Sequence, residues 1–156
     1  MVNVRFKKAE LFDLNLLIKV RIEVLRAANQ LSDTVDMSII EQESYNFYQN
    51  CLGKEEHASY LAFEGDNFIG CGSVCFYHIM PTYHNPSGKN AYIMNLYTRP
   101  DFRRRGIASA ILDLLVQEAK KHKITQISLE ATPMGRTLYE KYGFIPMQNE
   151  MILTAK

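Results

Sequence analysis

Apolar residues recur along this chain in two ways, and both predict secondary structure. Some stretches are alternating or continuous in apolar residues, as in β-strands, and others carry an apolar residue every three or four positions, as in α-helices. Five alternating or continuous apolar runs predict β-strands, at residues 2–6, 58–63, 68–77, 91–97 and 124–131. Three stretches with apolar residues every three or four positions predict amphipathic helices, at residues 11–25, 39–48 and 107–119. Ser38 and Glu41 form a capping-box pattern for the second helix. A short fourth helix is predicted over residues 134–142, with Pro133 in its first turn and Gly143 at its end.

The order of these elements predicts an α+β fold. One strand precedes two helices, and three strands, a helix, a strand and a helix follow. A final pair of strands, or one bent strand, is predicted over residues 144–153. Gly65-Asp66-Asn67 predicts a hairpin turn, whereas Gly70 and Gly72 within the next strand predict close approach of another backbone. This order favours a mixed, mostly antiparallel sheet flanked by about four helices.

The stretch Arg103-Arg104-Arg105-Gly106-Ile107-Ala108 lies between a predicted strand and a predicted helix. At a helix N-terminus the first backbone N–H groups have no helical partner and the dipole is positive, so an anion can bind there. Gly106 allows a bulky anion to approach the backbone, and the arginines can form forked hydrogen bonds to phosphate. A solvated arginine-rich turn is the alternative. The stretch matches neither a Walker loop nor a dinucleotide-binding fingerprint.

Length, charge and cysteine content narrow the class of protein. A chain of 156 residues is expected to form a single domain, 1–156, with a sizeable core. The net charge of +1 argues against a nucleic-acid or membrane partner. Three cysteines without a C-x-x-C pattern, no signal segment and no long apolar run predict a cytoplasmic location, and no metal site is predicted. Cys71 and Cys75 share one face of a strand and are expected to be small buried hydrophobes.

Two motifs in this sequence resemble the GCN5-related N-acetyltransferase (GNAT) superfamily. Arg-x-x-Gly-x-Ala follows a strand that ends in Leu-Tyr-Thr-x-Pro, and Leu138-Tyr139-Glu140-Lys141-Tyr142-Gly143-Phe144 follows at the family's separation. The match is close over residues 91–144 and looser before them. The resemblance implies a GNAT-type fold, in which the strand before the turn and the next strand splay apart. It also implies transfer of an acetyl or other acyl group from acetyl-CoA to a primary amine, by direct attack in a ternary complex.

The resemblance further implies where coenzyme A binds. Backbone N–H groups of the turn would hold the pyrophosphate, and Ser109 would add a hydroxyl group. Arg103 occupies the family's Gln/Arg position. The pantetheine arm would pair with the strand edge like an additional strand, which needs only backbone groups. The implied cofactor residues are Leu96, Tyr97, Thr98, Arg103, Arg104, Arg105, Gly106, Ile107, Ala108 and Ser109.

Two residues are predicted to be catalytic. The resemblance implies that Tyr139 donates a proton to the leaving thiolate, with a packed tyrosine as the alternative, whereas Tyr142 is expected to pack. Glu130, in an apolar run at the end of the splaying strand, is the first candidate for the base, because an unpaired buried carboxylate is costly. An ion pair with Arg136 is the alternative role for Glu130. His78 and His84 are alternative bases, and no base is needed if the amine arrives neutral.

Acceptor specificity in this family comes from the first two helices and the loop before the cofactor strand. The predicted substrate residues are Glu23, Arg26, Tyr83 and His84, and the same elements carry Arg21, Tyr45 and Tyr48. We expect a small-molecule amine as partner and leave a homodimer open. The alternative function is a coenzyme A-binding sensor or interaction module without transferase activity. Tyr139 argues against that alternative, because a pure binder needs no proton donor.

Overall fold

The structure is a computed structural model that describes residues 3–155. Five strands form one sheet in chain order: β1 (Val4–Lys8), β2 (His57–Glu64), β3 (Asn67–His78), β4 (Lys89–Thr98) and β5 (Gln126–Leu129). The strands β1 to β4 pair antiparallel, and β5 pairs parallel with β4. The mostly antiparallel sheet is therefore confirmed. Residue 2 of the predicted first strand lies outside the described residues.

Four α-helices accompany the sheet within residues 3–155: α1 (Leu14–Asn29), α2 (Ser38–Cys51), α3 (Ile107–Lys121) and α4 (Arg136–Tyr142). Short 3₁₀ helices precede α1 and α3, at Leu11–Asp13 and Pro100–Phe102. The predicted number of helices is confirmed. In the part of the chain that the structure describes, no helix is long and apolar enough to cross a bilayer.

The helices cover both faces of the sheet. The predicted stripe on α3 is buried at Ile107, Ile111, Leu115 and Ala119, and it packs in one cluster with inward-facing residues of β2, β3 and β4. The helices α1 and α2 form a second cluster on the opposite face, where their buried side chains pack with residues such as Leu61 and Cys71. The candidate site lies at the edge of β4, where the helices no longer cover both faces of the sheet.

The two glycines of β3 are explained by close packing. A Cβ atom on Gly70 would lie 2.9 Å from the carbonyl oxygen of Tyr97, so another backbone does approach closely there. A Cβ atom on Gly72 would lie 2.6 Å from the side chain of Ile111, so at this position the neighbour is the helix α3 rather than a backbone.

The structure corrects two local expectations. Met37, not Ser38, occupies the N-cap of α2, and the Ser38 backbone N–H instead donates to Asp36 Oδ1 at 2.9 Å. The capping-box interpretation of Ser38 was therefore wrong, because an acidic residue two positions earlier supplies the acceptor. No strand forms within residues 144–153 either, and the apolar residues after Phe144 are exposed: Ile145, Met147, Met151, Ile152 and Leu153. Pro146 removes a backbone donor from this segment, which weakens any strand ladder.

Candidate active site

The sheet opens between β4 and β5. The two strands pair only from Asn90 with Gln126 to Ile93 with Leu129. Beyond Ile93, β4 continues to Thr98 while β5 has ended, so this edge of β4 has no neighbouring strand there. The predicted splay is confirmed, and it leaves backbone groups available to an extended ligand.

A β-bulge in β4 marks the point where the sheet opens. Asn95 and Leu96 together stand opposite Gly72 alone, and Asn95 has a φ of 61°. The Cys71 thiol donates to the Asn95 carbonyl oxygen at 3.2 Å, and Arg21 Nη1 donates to Asn95 Oδ1 at 3.0 Å. Burial raises the pKa of Cys71, so the thiol keeps the proton that it donates. The bulge is thus held in place from β3 and from α1.

The turn before α3 has the geometry of an anion site. Gly106 is the N-cap, with a φ of 76°, and the first helical bond runs from Ala110 N–H to the Gly106 carbonyl. The N–H groups of Ile107, Ala108 and Ser109 therefore have no acceptor within the helix. A Cβ atom on Gly106 would meet no atom within 4 Å. Glycine is needed here for its left-handed conformation, and the space in front of the turn is open.

The arginines and Thr98 complete this edge. Arg103 Nε donates to the Thr98 carbonyl at 3.0 Å, while Arg105 lies 3.7 Å from Glu64 Oε1 and stacks over Phe102. Within residues 3–155, the Thr98 hydroxyl is the buried side-chain polar atom that has no hydrogen-bond partner. An orphaned buried hydroxyl group and an unfilled helix N-terminus fit a polar, phosphate-bearing ligand. The predicted cofactor residues lie at the end of β4, at residues 96–98, and in the turn and first residues of α3, at residues 103–109.

A cavity of about 370 Å³ lies beside the opening, between the helices α1 and α2 and residues of β2, β3 and β4. Met94 and Asn95 of the bulge form part of its wall, so the cavity and the open edge of β4 share these residues. The exposed surface of the lining is mostly apolar, although polar and apolar residues contribute to it in similar numbers. The lining residues are Arg21, Leu25, Ile40, Glu43, Ser44, Phe47, Tyr48, His57, Ser73, Cys75, Met94 and Asn95.

A row of side chains connected by hydrogen bonds lies in the floor of the cavity. His57 Nε2 lies 2.6 Å from Ser59 Oγ, and Ser59 Oγ lies 2.7 Å from Ser73 Oγ. His57 Nδ1 lies 3.3 Å from the sulfur of Cys75. Burial lowers the pKa of His57 to about 4, so the imidazole is neutral at neutral pH. Sequence reasoning missed this group, because its members come from two strands and follow no local motif.

Comparisons with known proteins agree with this geometry. The model of the acetyltransferase (GNAT) family matches residues 25–144, which is more than half of the chain. The chain belongs to the GNAT family. A crystal structure of a predicted acetyltransferase with acetyl-CoA from Clostridium acetobutylicum is 32% identical and has a TM-score of 0.88; the match covers 97% of this chain and 96% of that one.

Two further proteins are similar to this GNAT chain, one in sequence and one in fold. An uncharacterised N-acetyltransferase of Bacillus subtilis, YsnE, is 32% identical over 53% of this chain, and the match spans only 52% of that protein. The aminoglycoside acetyltransferase AAC(6')-Iy, in complex with a bisubstrate analogue, has a TM-score of 0.77; the match covers 99% of both chains. At 13% identity this last likeness shows the fold alone. The sequence-based family resemblance and α+β fold are confirmed, and acetyl-CoA is the co-substrate of the GNAT family.

Tyr139 is half-buried, and its role as the proton donor stays a prediction. The side chain lies on α4, with its ring edge-on to Phe144 at 6.0 Å and packed against Gly135. Burial raises the pKa of Tyr139, so the phenol keeps its proton at neutral pH and can donate it. Tyr142, by contrast, donates a hydrogen bond to Asp113 at 2.8 Å and joins α4 to α3. That contact agrees with the structural role expected for Tyr142.

Glu130 lies in a different environment from the one expected. It is exposed, so the argument from an unpaired buried carboxylate does not apply. The alternative ion pair is also absent from residues 3–155, since Arg136 pairs with Glu140 at 2.7 Å. If the β4–β5 register continued by one residue, Glu130 would stand opposite Met94, across the gap and on the cavity side. Its role as the base stays a prediction.

The four predicted substrate residues do not line the cavity. Glu23 holds Arg99 through two contacts, at 2.9 and 3.1 Å, and Arg26 donates to backbone carbonyls after α1. Tyr83 and His84 lie in the loop at residues 79–88, and Tyr83 is 92% exposed. Their role in substrate binding stays a prediction, one that the geometry does not support. Arg21 and Tyr48, from the wider set, do line the cavity.

Proposed function

We propose that this GNAT chain transfers the acetyl group of acetyl-CoA to the primary amine of a small molecule, by direct attack in a ternary complex. The proposal rests on one observation: Met94 and Asn95 belong both to the open edge of β4 and to the wall of the cavity. A thioester lying along the open edge of β4 and an amine lying in the cavity would meet at this bulge, so no covalent enzyme intermediate is needed.

The open edge supplies the contacts that coenzyme A requires. The N–H groups at the start of α3 and the neighbouring arginines suit the pyrophosphate. The unpaired backbone of residues 96–98 suits the amide groups of the pantetheine arm, and the Thr98 hydroxyl group can accept or donate a further bond. Gly106 leaves room for the phosphate groups to approach.

In the proposed reaction, a base and an acid act on the two sides of the opening between β4 and β5. The amine loses a proton, to Glu130 or to water, and its nitrogen forms a bond to the acetyl carbon. The carbon–sulfur bond then breaks, and Tyr139 donates its proton to the leaving thiolate. The nitrogen releases a second proton as it becomes an amide, and this proton restores the phenol of Tyr139. Burial raises the pKa of Tyr139, so the phenol carries a proton at neutral pH, as a proton donor must and a base must not.

The size of the cavity supports a small acceptor. Its volume of about 370 Å³ is near the lower end of the roughly 300–1,000 Å³ of small-molecule sites. The helices α1 and α2 enclose it, so a compact molecule fits better than a folded protein surface.

The test is calorimetric titration of acetyl-CoA and of 3′-dephospho-CoA, followed by turnover assays with a panel of amines that detect the released CoA thiol. We expect micromolar binding of acetyl-CoA and thiol release that depends on the amine. Tight binding with no turnover on any amine would favour the alternative, a coenzyme A-binding module without transferase activity. No binding would contradict the placement of the cofactor at the β4 edge.

A further inference from the structure

Arg21 carries a charge that no acidic side chain within residues 3–155 neutralises. Arg21 is half-buried and lines the cavity, and the hydrogen-bond partner of its guanidinium is the neutral amide oxygen of Asn95. The ion pairs of the described residues all use other cations. Glu23, two residues away on the same helix, pairs with Arg99 instead. A cation withdrawn from water without a counter-ion is costly, which favours an anionic ligand at this point.

The remaining polar groups of the cavity do not supply that anion. Burial lowers the pKa of His57 to about 4 and raises the pKa values of Tyr48 and Cys75, so all three side chains are neutral at neutral pH. Glu43 is exposed to water on α2 and lies beyond ion-pair distance of Arg21. Of the described residues that line the cavity, Arg21 is the cation, and the Glu43 carboxylate in the same lining does not pair with it.

Most of the remaining exposed surface of the cavity wall is apolar, and part of it is uncovered. Phe47 and Ile40 on α2 are 47% and 41% exposed, although they face the cavity together with Leu25, Tyr48 and Met94. Large apolar side chains around a small cavity favour an apolar ligand group, because its burial removes both surfaces from water. A densely hydroxylated ligand would lose its hydration here and find few hydrogen-bond partners.

We propose that the acceptor is a small amine that carries both a carboxylate and an apolar side group, as an apolar α-amino acid does. The inference rests on the proposed function. Arg21 binds the carboxylate with N–H groups that Asn95 does not use, and the apolar side group lies against Phe47 and Ile40. One carbon separates the amine from the carboxylate in an α-amino acid. A carboxylate on Arg21 therefore holds the amine next to the bulge, where the sheet opens.

The reaction balances with the groups already named. The amino nitrogen forms a bond to the acetyl carbon, and the carbon–sulfur bond breaks. Of the two protons that the ammonium group loses, one goes to Glu130 or to water and the other is made up on the leaving sulfur, so coenzyme A leaves as the thiol. The product is an N-acetylated amino acid, which has lost its positive charge and kept its carboxylate.

The experiment compares L-leucine, L-leucinamide and glucosamine as acceptors with saturating acetyl-CoA. Leucinamide keeps the amine and the apolar group but lacks the carboxylate, and its amine is the more easily deprotonated, so any intrinsic bias acts against the proposal. The variants are Arg21→Gln, which can still donate a bond to Asn95 but has no charge, and Arg21→Lys, which keeps the charge without the fork. The matched control is Lys19→Gln, which removes an exposed charge from the same helix and does not touch this cavity.

We expect kcat/KM for leucine to exceed that for leucinamide by about 10- to 100-fold, the range of charge-assisted hydrogen bonds. Arg21→Gln should remove this preference by raising the KM for leucine, Arg21→Lys should retain part of it, and Lys19→Gln should retain all of it. Equal use of leucine and leucinamide by the unmodified protein, an undiminished preference in Arg21→Gln, or a preference for glucosamine would overturn the inference while leaving the proposed function intact. Transfer to no amine at all would overturn both.

Discussion

Replacing Gly106 by Glu or by Gln separates the fold of the phosphate turn from its electrostatics. Gly106 has a φ of 76°, a conformation that costs an L-residue about 1–2 kcal/mol. A Cβ atom there would meet no atom within 4 Å, so no steric clash adds to this cost. Both variants should therefore fold and lose about 1–2 kcal/mol of stability. Glu should lose slightly less than Gln, since an acidic group at a helix N-terminus stabilises by about 0.3–1 kcal/mol.

The two variants should rank in the opposite order by their affinity for coenzyme A. Glu, the more stable replacement, should bind it more weakly than Gln. Two unit charges of the same sign about 4 Å apart repel by about 4 kcal/mol at an effective dielectric constant of 20. That energy corresponds to nearly three powers of ten in affinity, and salt reduces it at an exposed position. We expect Gly106→Glu to weaken acetyl-CoA binding at least about 100-fold, and Gly106→Gln to weaken it much less.

The assay is calorimetric titration of acetyl-CoA into the three proteins at two salt concentrations, with thermal unfolding as the measure of stability. The expected pattern is a Glu variant that is at least as stable as the Gln variant but binds far more weakly, with the difference shrinking in high salt. Equal affinities of the Glu and Gln variants would refute the placement of the phosphate groups at this turn.

Three further predictions concern single carboxyl and phenol groups. Tyr139→Phe should lower kcat by about 10²- to 10⁴-fold at unchanged acetyl-CoA affinity, and Tyr142→Phe should leave kcat unchanged; full turnover by Tyr139→Phe would remove the phenol from the mechanism. Glu130→Gln should reduce turnover most at low pH, where fewer amines are neutral, and an unaltered pH profile of kcat/KM would contradict its role as base. Burial alone would raise the pKa of Glu118, but hydrogen bonds from Tyr60 and Lys8 lower it below 4.5. Its contribution to stability is therefore complete above about pH 4.5 and is lost as the pH falls through the lowered value. Urea unfolding should show Glu118→Gln to be less stable at pH 7 by about 1–3 kcal/mol and by much less at pH 3; an equal loss at both would exclude the charge as the cause.

The geometry of the turn before α3 could be predicted because it is local in sequence, whereas the binding of coenzyme A there stays a prediction. Residues 96–109 run from the end of β4 through the turn into α3, and the apolar stripe of that helix is visible in the sequence. A left-handed turn at a helix N-terminus also demands Gly106, so one residue carries much of the signal. Function and conformation are specified here by neighbouring residues.

The acceptor side could not be predicted in the same way. Its lining comes from α1, α2, β2, β3 and β4, and residues such as His57 and Met94 meet only after the sheet has formed. Glu130 was expected to be buried because apolar residues flank it. The sheet opens at that residue, so a local apolar run does not bury its side chain.

The bulge at Asn95 connects the two sides physically. A non-glycine residue with positive φ is uncommon and persists where its surroundings hold it. Here the Cys71 thiol binds the carbonyl of Asn95 and the Arg21 guanidinium binds its side chain. Arg21 therefore contacts the backbone segment that the thioester would adjoin, and by our inference it also holds the carboxylate of the acceptor. A cation that no carboxylate of the pocket pairs with would then align both reactants, and its replacement should affect acceptors with a carboxylate far more than those without one.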